Sequence, residues 1–127
     1  MTHTKDYGVA TANPLATKAA CEVLDQGGSA ADALVAAQTV LGLVEPQSSG
    51  IAGGAFLLYY DAKTKKVQAY DGRETAPASA DENYLRWISP TDRTAPQPDA
   101  RSSGRAIGVP GALRLLEAVH GEHGSKT

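Results

Sequence analysis

Leu15, Ala19, Val23 and Leu24 recur at the spacing of one helical face. Asn13 supplies an N-cap, Pro14 suits the first helical position, and Gly27-Gly28 stop the helix after Gln26. Ser29 and Asp32 then fit a capping box, which predicts a second helix from Ala30 to about Leu43. That helix is apolar nearly all round, so it is expected to be buried in a larger assembly, with Pro46 marking its end. Residues 55–60 form a dense apolar run that suits a strand covered on both faces. Residues 61–65 read as a turn. Residues 66–71 alternate, with Val67 and Ala69 on one face and Gln68 and Tyr70 on the other, as a hairpin partner would.

Weaker patterns flank these. Residues 7–12 are short and partly β-branched and read as a strand. Residues 81–88, with Trp87, read as a short amphipathic helix. The proline-bearing stretch 89–103, with Arg93 and Arg101, reads as a long polar surface loop. Pro110 opens a last helix through Leu113, Leu115, Leu116 and Val119, ended by Gly121 or Gly124. The chain is thus mixed α and β, an α/β (α+β) class without internal repeats. A hairpin with an open edge and a helix without an obvious partner lead to the expectation of further structure beyond Thr127.

Composition narrows the function classes. The 127 residues suffice for one modest core, and a formal charge of −2 leaves no basic stripe for nucleic acid. No apolar run approaches the twenty residues of a membrane span, and residues 1–6 lack a signal-peptide core. The single cysteine, Cys21, excludes an internal disulfide framework and is expected to be a small buried residue.

Candidate chemistry is sparse. The turn Ser49-Gly50-Ile51-Ala52-Gly53-Gly54 has backbone amides that can cradle an anion. A phosphate loop, however, follows a strand and opens a helix, whereas here a helix precedes and a strand follows. Backbone packing against a neighbouring layer, or a substrate-facing turn, remain as readings. Arg73 follows a strand, and its planar fork can meet a carboxylate in two hydrogen bonds or form an ion pair with Glu74, Asp71 or Asp32. Asp32 reads as a helix cap or as the support of a neighbouring arginine. His120 and His123 are three apart, but Gly121 and Gly124 point to a fraying helix end rather than a metal site. No nucleophile is seen with its base.

Five ordered segments carry a resemblance: Asn13-Pro14-Leu15-Ala16, Gly27-Gly28-Ser29-Ala30-Ala31-Asp32-Ala33, Ser49 to Phe56, Arg73-Glu74-Thr75-Ala76-Pro77, and Gly108-Val109-Pro110-Gly111. Together they resemble the γ-glutamyltransferase (γ-glutamyl transpeptidase) family over nearly the whole chain. The resemblance implies an N-terminal-nucleophile hydrolase with a four-layer αββα sandwich, in which a precursor cuts itself into a large and a small subunit. The new N-terminal threonine attacks a γ-glutamyl amide, with glutathione as the usual donor, and an amino acid, a dipeptide or water accepts the acyl group. No metal or cofactor takes part.

Carried over by residue, the resemblance makes Arg73 the binder of the substrate α-carboxylate. Glu74 and Asp32 become supporting residues, and Gly53 and Gly54 the tight turn before a strand. Ala52 stands where the family usually has a third glycine, which requires that its backbone need no positive φ. The threonine nucleophile is expected outside the chain, since Thr127 is its last residue. Residues 1–127 are therefore expected to be an N-terminal portion of the large subunit, inactive alone and partnered by the rest of the precursor. Family members in bacteria usually work in the periplasm or outside the cell. A related acylase or capsule-polymer transpeptidase on the same scaffold is the alternative enzyme, and a binding module without catalysis is the alternative of another class.

Overall fold

The computed structural model describes residues 6–89, 91–96 and 98–125. Residues 1–5, Pro90, Gln97, Lys126 and Thr127 lie outside these, and with them the expectations about a leader segment and about Thr127. Helix α1 spans Pro14–Asp25 and begins as its capping residue dictates: the Asn13 side chain accepts the Leu15 amide at 3.0 Å. Gly27 takes φ 87°, a conformation that costs glycine little, and the chain reverses into helix α2, Ala30–Val44. The capping box forms as expected, with the Asp32 amide donating to Ser29 Oγ at 3.2 Å and the Ser29 amide to Asp32 Oδ2 at 2.8 Å.

Helix α1 packs on α2, which supplies the partner that the sequence pattern left unassigned. The contact is built from small side chains: Ala20, Ala33 and Ala37 are buried, with Val9, Val23 and Leu24 against them. At the far end Asn13 Nδ2 donates to Glu45 Oε1 at 2.8 Å, tying the start of α1 to the end of α2. Cys21 is half-buried rather than buried. Residues 7–12 are not a strand. They run along α1, where no strand edge is available to complete a ladder, and Tyr7 and Thr11 instead bond the Cys21 and Asn13 carbonyl oxygens through their hydroxyls.

Strands β1 (Ala55–Asp61) and β2 (Lys66–Gly72) form one antiparallel hairpin in the register Leu57↔Tyr70 and Leu58↔Ala69. The Asp61 carboxylate accepts the Lys63 amide and the Thr64 hydroxyl, and Lys65 closes the turn at φ 56°. One face carries Ala55, Leu57 and Tyr70 and packs on the buried cluster of Ala31, Leu115 and Val119. The other is not covered: Phe56 is 69%, Leu58 76% and Val67 62% exposed. The expected two-sided burial of β1 is therefore corrected to one-sided burial, because α2 and α3 share the same side of the hairpin.

Residues 81–88 are successive tight turns, not a helix. The Tyr84 and Arg86 amides reach back only three residues, to Asp81 and Asn83, and the Ile88 amide turns away to the Ala95 carbonyl at 3.1 Å. The described part of 89–103 is likewise built of turns, bridged back where Trp87 pairs with Pro96. Helix α3 spans Ala112–His123, opened by Gly111 rather than Pro110 and ended at Gly124. Its end is anchored, not frayed: His123 stacks on Tyr59 at 3.8 Å and approaches the Tyr70 hydroxyl at 2.8 Å. That hydroxyl donates to Glu122, which together with burial pushes Tyr70 up to about 12.

Candidate functional site

Three segments distant in sequence meet where β1 begins, β2 ends and α3 begins. The Gly53 carbonyl accepts the Gly111 amide at 3.1 Å and the Ala112 amide at 3.0 Å. Thr75 and Val109 exchange backbone hydrogen bonds at 3.3 and 2.8 Å. Glycine makes this approach possible. A methyl group on Gly54 would lie 2.8 Å from both the Glu74 amide nitrogen and the Gly72 carbonyl oxygen, and one on Gly111 would collide with the Gly72 carbonyl. The backbone of Arg73 and Glu74 is thus gripped between the glycine turn and the segment entering α3.

Their side chains diverge. Glu74 lies over the glycine turn and lines a cleft of about 580 Å³ with Glu45, Gly50, Ala52, Gly53 and Gly54. Its Oε2 is buried and accepts no hydrogen bond among the described residues. The Arg73 Nε stands 3.6 Å from that oxygen, an ion pair too long for a hydrogen bond. The Arg73 side chain is 70% exposed and lines a separate cleft of about 390 Å³ with Asp71, Thr75, Val109 and Arg114. Its amide donates to Asp71 Oδ1 at 2.9 Å, which orients the residue. No hydrogen bond occupies its guanidinium among the described residues, so the donor fork is open to a ligand.

The structure brings Arg73, Glu74, Gly53 and Gly54 together. It does not bring Asp32 to them. Asp32 sits beside the far end of α3, roughly 16 Å along the helix from Gly111 at 1.5 Å per residue. There it joins the two helix ends. It holds the Ser29 amide, accepts the Ser125 amide and hydroxyl, and faces His120 Nε2 at 3.0 Å. The Ser125 hydroxyl, more than any other group, holds the Asp32 carboxyl well below the usual range. Asp32 is a cap and a cross-helix anchor rather than the support of an arginine.

Ala52 satisfies the condition set by its side chain. Lys65 is the one non-glycine residue at positive φ among those described, so the methyl group at Ala52 meets no backbone penalty. Gly53 and Gly54 also avoid positive φ, and at Gly54 the requirement is space. Sequence reasoning overlooked Gly72, Thr75, Val109 and Gly111 as the frame of Arg73. Their visible signals are the segments Arg73-Glu74-Thr75-Ala76-Pro77 and Gly108-Val109-Pro110-Gly111, whose spacing carries no hint that the two meet. Among the described residues no helix is long and apolar enough to cross a membrane.

Known proteins resemble this chain over most of its length. The family described as gamma-glutamyltranspeptidase matches residues 16–127. The chain is 42% identical over 123 residues to a glutathione hydrolase proenzyme of Bacillus subtilis, covering 97% of this chain and 21% of that protein. Among solved structures, the γ-glutamyltranspeptidase of Helicobacter pylori superposes with a TM-score of 0.83 at 32% identity, covering all of this chain and 35% of that one. The Bacillus anthracis transpeptidase CapD superposes at 0.71 with 33% identity, covering 98% of this chain and 36% of that one. The chain spans about a fifth of the length of the curated relatives it matches. With its mixed helices and hairpin matching part of these enzymes, the chain belongs to the γ-glutamyltranspeptidase family.

Proposed function

We propose that this chain supplies the carboxylate-binding edge of an enzyme that hydrolyses or transfers γ-glutamyl groups, with glutathione as a donor. The observation that carries the proposal is Arg73: a locked backbone, an exposed side chain and a guanidinium fork with no internal hydrogen bond. A free α-carboxylate is the planar, two-oxygen partner that such a fork fits. Glu74 steadies the guanidinium from its Nε side and leaves the outer nitrogens for substrate. Gly53 and Gly54 let the backbone close beneath them.

The reacting group belongs to sequence outside these residues. In the chemistry that the family implies, a threonine hydroxyl oxygen bonds to the γ-carbonyl carbon and its proton passes to the threonine's own α-amine. The substrate's amine leaves with that proton. Water or an amine acceptor then breaks the ester and frees the threonine. Arg73 holds the glutamyl end still throughout, so that each attack meets the same carbon.

The rest of the large subunit and the small subunit are the proposed partners, and the uncovered hairpin face with Phe56, Leu58 and Val67 supports a covering partner. A periplasmic or extracellular location accompanies the family reading, and cell fractionation of the natural host checks it. A capsule-polymer transpeptidase is the second reading, favoured by the likeness to CapD. It shares the carboxylate grip and differs in donor.

The test is Arg73→Ala in the complete enzyme, assayed with a γ-glutamyl anilide. Loss of a charged hydrogen-bond pair costs about 2–5 kcal/mol in kcat/KM. A fall of less than about threefold in a correctly matured enzyme overturns the assignment.

A further inference from the structure

Residues 76–108 leave the site and return to it, and the Thr75–Val109 pair closes their base. Within this excursion one side chain gathers three carbonyl oxygens. Arg105 Nη1 donates to Tyr84 O at 3.1 Å and to Trp87 O at 2.7 Å, while Nη2 donates to Ile88 O. These carbonyls lie within and at the end of the tight turns at 81–88, and no backbone amide bonds them among the described residues. The charge on the guanidinium makes each such bond roughly twice as strong as a neutral one. The bonds span 17 to 21 residues, across the whole proline-bearing stretch. A second closure lies inside the first, where the Ile88 amide meets Ala95 O and Trp87 pairs with Pro96. Arg105 itself sits in a short 3-10 turn, Gly104–Ala106, that runs directly into Val109.

We infer that Arg105 is a positioning residue: by tying 81–88 to the turn before Val109, it holds the Thr75–Val109 pair and thereby the pose of Arg73. This rests on the reading of Arg73 given above. Among the described residues the excursion is otherwise closed by the Thr75–Val109 pair and by the inner contacts of Trp87 and Ile88 with Pro96 and Ala95, neither of which reaches the turn at Gly104–Ala106. With Arg105 in place, the returning limb reaches Val109 already oriented. Arg105 touches no substrate in this scheme, and its effect is transmitted through the backbone.

The test uses the complete enzyme with a γ-glutamyl anilide donor and compares Arg105→Ala, Arg105→Lys, Arg73→Ala and the double variant Arg73→Ala/Arg105→Ala. Arg105→Ala is expected to raise donor KM about tenfold with kcat changed less than threefold, since small misplacements of a binding group weaken binding steeply. Arg105→Lys keeps a charge with three donors and restores most of the affinity. Trypsin cuts at Arg93 and Arg101 faster in Arg105→Ala. Adding Arg105→Ala to Arg73→Ala leaves KM where Arg73→Ala alone put it, because the two act on one contact.

A purely structural tether would lower the melting temperature while the folded enzyme kept its KM. A KM within about twofold of wild type in folded Arg105→Ala overturns the inference. If Arg105→Ala does not fold, Arg105→Met, which keeps the apolar stem and removes every donor, decides by the same ratio and by its trypsin rate. If Arg73→Ala leaves kcat/KM intact, the carboxylate role falls. In that case a donor KM raised by Arg105→Ala would show positioning of some other group, and the inference in its present form fails with it.

Discussion

On the inner face of the hairpin, Leu57 and Tyr70 pack against the buried cluster of Ala31, Leu115 and Val119. One residue along the same strand, Leu58 stands 76% exposed, opposite Ala69 and beside Val67 and Phe56. The outer face, with Phe56, Leu58, Tyr60, Val67 and Ala69, is at least as apolar in sequence as the inner one, but their circumstances differ. The inner face is completed by helices from this chain, whereas the outer face offers matching hydrophobic pairs with nothing upon them. Soluble monomers seldom leave such a contiguous apolar face open. The candidate site sits at the boundary: its backbone frame belongs to the covered side, and the Arg73 guanidinium faces out.

Matched substitutions test that contrast. Leu57→Ala should cost the most, about 2 kcal/mol or more, through lost burial and an unfilled space beside Leu115, read from urea unfolding. Asp32→Asn should cost about 1 kcal/mol at neutral pH through the damaged capping box and the lost hold on Ser125. Because the carboxyl is held below its ordinary value, its contribution is complete above about pH 4 and fades as pH falls through the lowered value. The gap between wild type and Asp32→Asn should therefore narrow in acid, and a gap that stays constant or widens contradicts the assignment. Leu58→Ala should change the stability of the 127-residue chain by less than about 0.5 kcal/mol. In the complete enzyme the same change should approach the cost of Leu57→Ala. Equal small effects in both settings would show that the outer face stays wet.

Much of the scaffold was legible because its signals are local. Asn13 with Pro14, Gly27, and Ser29 with Asp32 announce the two helices within a few residues, and alternation around residues 66–71 announces a hairpin. Residues 81–88 misled because an amphipathic pattern satisfies a tight-turn series as readily as a helix. Only the long-range bonds to Ala95 and Arg105 decide between them. Residues 7–12 misled because strand character is realised only with a neighbouring edge. At the site, a lone arginine after a strand was visible, but its frame was not. Gly54, Gly72 and Gly111 come from three segments, and the space they vacate is a property of their meeting. The partnership of Asp32 with His120 was hidden for the same reason.

The Gly53 carbonyl takes the amide of the capping residue Gly111 and the first amide of α3, that of Ala112. On the proposed role of Arg73, carboxylate recognition falls to a replaceable side chain, while glycines from three segments hold the backbone around it. Specificity and architecture are thereby uncoupled. With Arg73 as the proposed carboxylate binder, exchanging the residue at 73 is expected to shift the scaffold toward donors without an α-carboxylate while the surrounding backbone keeps its shape, which would make this one position a lever for changing substrate.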